Sequence, residues 1–222
     1  MKANTISIIL LLFGLVAGVY WIEAKREIEV LCALIQIDQS YEKVSALLET
    51  GEHLRYAKTG NELRFSSVKN LHQISCEVKL SSLSTVDLVQ YSERVNLTKS
   101  AAVIGTMLTV LLVIFQVLLS MGFSLGDYAW GGKHKILPKK LRIASGVSAV
   151  VLLPAIVSLP VLEFSSSMPV AMNLYVVLTF TVLFLLSFIG NMASPNPKEK
   201  VIMIPASLAL FLCYFLVGYS NL

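Results

Sequence analysis

The stretch Ala101–Phe123, AAVIGTMLTVLLVIFQVLLSMGF, decides the fold. It runs for 23 residues without one Asp, Glu, Lys, Arg or His. About 20 apolar residues, rising 1.5 Å each in a helix, cross the roughly 30 Å of bilayer hydrocarbon. Lipid offers no partner to backbone N–H and C=O groups, so such a span has to be helical. Four further runs share the pattern: Thr5–Trp21, Ile143–Leu162, Val170–Gly190 and Val201–Tyr219. The composition agrees, since the chain is 14% charged where a soluble domain carries about 25%. The sequence therefore predicts an all-α membrane bundle of about five transmembrane helices, with a small α+β extracytoplasmic module inserted between helices 1 and 2. Residues 1–22 are the first helix, 23–99 the module and 100–222 the four-helix remainder.

Charge sets the orientation. With five crossings, three stretches share one side: the start with Lys2, the connection from Ser124 to Arg142, and that from Asn191 to Lys200. They carry a net +6, whereas the other side, 23–99 with Glu163, carries −2, together the chain's +4. Lys and Arg in short loops are retained on the cytoplasmic side. The expected topology has a cytoplasmic N-terminus, with 23–99 and the C-terminus extracytoplasmic. The first helix is expected to be an uncleaved signal-anchor. No small-x-small cleavage site precedes Glu23, and Tyr20 and Trp21 suit the membrane interface.

Within the module, Ile28, Leu31, Cys32, Ile35, Tyr41, Val44, Leu47 and Leu48 form a helical stripe, with a break near Asp38-Gln39-Ser40 and a stop at Gly51. The period then changes to two. Leu54 and Tyr56, then Leu63 and Phe65, flank a Thr59-Gly60-Asn61 turn, which predicts a hairpin. Ile74, Cys76, Val78 and Leu80 predict a third strand, and Ser84 or Thr85 is expected to cap a short helix before the membrane. A module of this size is near the lower limit for an independent core. Cys32 and Cys76 lie on the apolar faces of their elements, and a disulfide between them is expected. Neither His53 nor His72 gives a zinc spacing with Cys76, and no metal or other cofactor is expected.

Ionisable residues inside membrane helices mark ion and proton paths, and these spans contain none. Their polar groups are milder. Gln116 and Asn173 are expected to face other helices and bond across them. With Thr179 and Thr181 they would line the groove of a small permease or channel for a neutral or apolar solute, the alternative reading of function. Gly14 and Gly18 form a GxxxG pattern that permits close helix approach.

The second connection carries Trp130, Lys133, His134, Lys135, Lys139, Lys140 and Arg142. Trp130 suits the interface and the cations suit anionic headgroups, so these residues form the candidate surface for lipid or partner. The run from Ala129 to Arg142, Ala-Trp-Gly-Gly-x-His-x-x-Leu-Pro-x-x-Leu-Arg, resembles a family of small uncharacterised bacterial multi-pass membrane proteins. The likeness covers the loop and its flanking helices, about half the chain. It implies a bacterial origin and a helical bundle, which with the expected topology puts the chain in the inner membrane, and it assigns no site residues.

No phosphate-binding loop, HExxH, GxSxG or haem-attachment motif occurs. The leading expectation is a non-enzymatic accessory or assembly protein whose module binds another membrane or periplasmic protein. Membrane lipids are the other expected partners, nucleic acid is not, and the oligomeric state stays open. A membrane-embedded lipid-modifying enzyme is the weaker alternative, and it requires a headgroup-level cluster of His and carboxylate.

Overall fold

The computed structural model describes residues 2–51, 53–82, 84–164 and 170–222. Contacts divide it into two units, Met1–Leu15 with Leu97–Leu222, and Val16–Asn96. The long helices are α1 (Lys2–Leu34), α3 (Leu97–Met121), α4 (Lys139–Phe164), α5 (Val170–Ala193) and α6 (Pro197–Ser220). All five are long and apolar enough to cross a membrane, and the chain is a multi-pass membrane protein.

In the first unit α3 packs on α4 and α6, and α5 packs on α6 and α4. Gly105 sets the approach of α3 to its neighbours. A Cβ there would lie 2.6 Å from Leu159 Cδ1 and 2.9 Å from Cys213 Cβ. Gly14 does the same for the start of α1, where a Cβ would come 2.9 Å from Leu212 Cδ1. Buried Tyr214 is surrounded by Phe180 and Phe184. Its hydroxyl donates to Ala155 O at 2.8 Å and lies 3.1 Å from Thr109 Oγ1. The Tyr214 hydroxyl is thus bonded within the bundle, as a medium without water demands. Pro154 and Pro160 sit inside α4 and Pro205 inside α6, and both helices run on through them. Large apolar side chains such as Met107, Leu111, Val150 and Leu186 point outward, where lipid covers them.

The second unit is the module. The C-terminal part of α1 and the short α2 (Tyr41–Glu49) meet a four-stranded antiparallel sheet in sequential order, β1 (Leu54–Thr59), β2 (Glu62–Ser67), β3 (Ile74–Leu80) and β4 (Val86–Glu93). The helical stripe is seated as its period requires: Ile28, Leu31, Cys32 and Ile35 from α1 and its end, with Val44 and Leu48 from α2, are all buried. Leu63, Phe65, Ile74, Cys76, Val78, Leu80 and Val86 complete that core. The alternate positions face outward as charge pairs, Glu62 with Lys79 and Arg64 with Glu77. Gly60, at φ +61°, makes the β1–β2 turn, a conformation that costs glycine little.

One expectation is corrected. The stretch after Thr85 is strand β4, not a capped helix. Val89 and Tyr91 pack on the core while Leu88 and Gln90 face out, and β3 gives the strand a full-length partner. The Cys32–Cys76 disulfide is formed, with Cα atoms 6.0 Å apart across 44 residues of sequence. Near the end of β4, Lys25 pairs with Glu93 at 3.3 Å. Burial, and then the carboxylates of Glu93 and Glu29, push the adjacent Tyr91 phenol far above its ordinary range.

Candidate functional site

The connection between α3 and α4 is a folded cap. Two 3-10 turns, Gly126–Tyr128 and Trp130–Gly132, shape it. Gly126 N donates to Lys135 O at 2.9 Å, so the two arms of the loop touch. A Cβ on Gly126 would stand 2.0 Å from His134 O, which explains a glycine here. Buried Ala129 and Leu137 seat the loop on Leu119 of α3. Gly131 and Gly132 make a tight turn, with φ of +79° and +63°.

The connection between α5 and α6 locks onto this cap. Asn196 accepts from Lys198 N at 3.0 Å, capping α6, and donates through Nδ2 to Asp127 O at 2.6 Å. Lys198 reaches the Asp127 carboxylate at 3.0 Å. Glu199, only 6% exposed, accepts from Gly131 N at 3.1 Å and from the Ser194 hydroxyl. The two basic connections therefore meet at one end of the bundle.

Beneath the cap is a cleft of about 500 Å³ walled by α3, α4, α5 and α6. Its lining is graded. Gln116, Ser187, Asn191 and Glu199 lie near the cap, with Tyr128 and Trp130 from the cap itself. Leu112, Val151, Leu152, Phe180 and Phe184 lie one to two turns further from the cap along their helices. Val147, Val151 and Leu183 are lining residues that are also exposed on the outside of the bundle, so the cleft opens sideways where lipid lies.

The expected surface residues divide into two groups. Lys133, His134, Lys135, Lys139 and Lys140 are exposed. Trp130 and Arg142 are tied into the fold. The Trp130 indole donates to buried Ser145 at 3.1 Å, while its ring stays 44% exposed. Arg142 caps the end of α3, with Nε donating to Ser120 O at 2.9 Å and Nη2 to Met121 O at 2.8 Å. Lys139, Lys140 and Arg142 also belong to the first turns of α4 rather than to the loop.

The four intramembrane polar residues are not brought together. Asn173 bonds across helices, Nδ2 to Ser158 O at 2.9 Å. Gln116 lines the cleft, yet its covered Oε1 has no partner among the described residues, contrary to the expected bond. Thr179 is exposed and donates to Tyr175 O of its own helix, whereas Thr181 is buried and donates to Val177 O. Residues two apart on a helix point roughly 200° apart, so these two threonines cannot share a groove. Nor does the structure assemble a metal centre: among the described residues, no three of His, Cys, Asp and Glu converge. His72 Nδ1 is instead 2.7 Å from Ser66 Oγ.

Glu199, Ser194, Asn196 and Asn191 are the polar residues that sequence reading missed. A signal was present. Asn196-Pro197-Lys198-Glu199 combines an N-cap, a proline in the first turn and a glutamate at the third helical position. That pattern announces a helix start, but it does not say that the glutamate turns to a distant loop. No family model, characterised protein or solved structure matches the chain, so the site rests on its own geometry.

Proposed function

We propose that this chain is a non-enzymatic accessory or assembly protein of the bacterial inner membrane, and that its module binds another membrane or periplasmic protein. The observation that carries this reading is the module itself. It has a closed, disulfide-tied core of its own, and among the described residues its edge strand β1 pairs with β2 alone. Five of the six β1 residues are exposed. Main-chain groups on such an edge accept a partner strand.

Several observations support the orientation. A disulfide is maintained in an oxidising compartment, which favours the module outside the cytoplasm. The net +6 of the three stretches read as cytoplasmic favours the same arrangement. Helix α1 is continuous from Lys2 to Leu34, and Leu11 and Leu15 in its N-terminal half pack on the bundle core, which favours an uncleaved signal-anchor. The bacterial assignment rests on the resemblance carried by Ala129–Arg142.

The test is site-specific photo-crosslinking in cells. A photoreactive residue replacing Ala57 on β1 is expected to capture one discrete partner band. The same probe replacing Met107 on the outer face of α3 should not capture it. Absence of any adduct from Ala57 and Thr59 positions, with the full-length protein correctly inserted, would overturn the docking role.

A further inference from the structure

We propose that the cleft beneath the cap is a binding site for one amine-headed membrane lipid, entering sideways from the leaflet on the cap side. Three observations lead there. First, the cleft has the polarity of a lipid molecule in that leaflet. Glu199 and Asn191 lie at the helix ends beside the cap, whereas the deepest lining residues, Leu112, Leu152, Phe180 and Phe184, are apolar. Ser187 and Phe180, seven residues apart on α5, are separated by about 10 Å of helix rise. Second, the opening is lateral. Val147, Val151 and Leu183 are shared by the cleft lining and the outer surface, so an acyl chain reaches the apolar half without leaving hydrocarbon. Third, the polar half is anionic and rich in acceptors.

Glu199 decides the headgroup. It is a 94% buried carboxylate at the polar end of a membrane cleft. Buried charges are costly unless paired. Among the described residues its hydrogen-bond partners are the Gly131 N–H and the Ser194 hydroxyl, both neutral donors. A primary ammonium supplies the missing positive charge and up to three N–H donors. Asn191 and Ser187 line the cleft on the same side as Glu199 and add polar groups. A quaternary ammonium has the positive charge but no N–H, and a phosphoglycerol head has hydroxyl donors but no positive charge. Exposed Lys133 and Lys135 lie on the cap, and cations at headgroup level favour phosphate-bearing lipids. The occupant is therefore a primary-amine phospholipid. Its binding explains why a basic, headgroup-facing loop is folded over a buried acid.

Native mass spectrometry of the full-length protein tests this. The protein is released from micelles containing equal amounts of phosphatidylethanolamine, phosphatidylcholine and phosphatidylglycerol. One phosphatidylethanolamine is expected to be retained roughly tenfold over each of the others, the ratio that one charge-assisted hydrogen bond supplies. Glu199→Gln should bring the three lipids to parity. Val151→Trp fills the apolar half from its exposed rim and should remove the retained lipid altogether. That variant leaves Glu199 and the cap untouched, so its result stands however Glu199→Gln folds. Equal retention of all three lipids by the unaltered protein would overturn the proposal, as would phosphatidylethanolamine retention unchanged in Val151→Trp.

Discussion

Replacing both Cys32 and Cys76 with alanine is expected to destabilise the module by about 4 kcal/mol, the chain-entropy value for a loop of this length. The bridge joins the last turn of α1 to the middle of β3, so it ties the helical layer to the sheet. Without it the unfolded module regains the freedom of a 44-residue separation. The remaining core is small. At roughly 0.05–0.15 kcal/mol per residue, a unit of about 80 residues has 4–12 kcal/mol in total. Loss of the bridge therefore removes between a third and all of it. Hydrogen exchange on the full-length protein in detergent reads the effect. Amides of β2 and β3 should exchange on the order of a hundredfold faster or more after the double substitution, while α3 and α6 stay protected. Unchanged β3 protection would mean that the core holds the module without the bridge.

Phe65→Ala should cost about 3–5 kcal/mol, the range for a buried Phe truncated in a core that cannot collapse. Phe65 is fully buried on β2, directly opposite Cys76 on β3 and Tyr56 on β1. A one-residue slip would bring the charges of Arg64 into its place, so the ring also fixes the register. Phe65→Leu keeps most of the volume and should cost less than about 1.5 kcal/mol. Leu71→Ala, at a 73% exposed position, is expected to change little. Urea unfolding with exchange readout at β2 and β3 separates the three. Because Phe65 and Cys76 face each other, Phe65→Ala and disulfide loss should not add.

The spans were legible because the bilayer dictates length and composition at once. What the apolar runs measure is hydrocarbon thickness, not helix length. So α3 begins at Leu97, α4 at Lys139 and α6 at Pro197, each with polar residues before the apolar run. Cys32 and Cys76 were legible because each occupies an apolar face whose period the sequence displays. Strand β4 was hidden by a register irregularity between Lys79 and Leu80 and by the Ser81–Thr85 turn. These offset its alternation from that of β3. The cleft was not legible at all, and its acid was legible only as part of a helix start. Glu199 meets Gly131 across 68 residues, and no local pattern encodes that meeting. Gln116 and Thr179 read alike in a list of polar span residues, yet packing turns one into the cleft and the other outward.

The proposed orientation underlies the partner-binding role, and labelling of single introduced cysteines tests it most directly. Cys213 is buried and Cys32 and Cys76 are bridged, so the background is silent to thiol reagents. Substituting cysteine at Ala57 on β1, or at His134 on the cap, gives two reporters. In intact spheroplasts a membrane-impermeant maleimide is expected to label the Ala57 position fully and the His134 position only after lysis. Labelling of His134 before lysis, with Ala57 protected, would contradict the orientation and place the module in the cytoplasm.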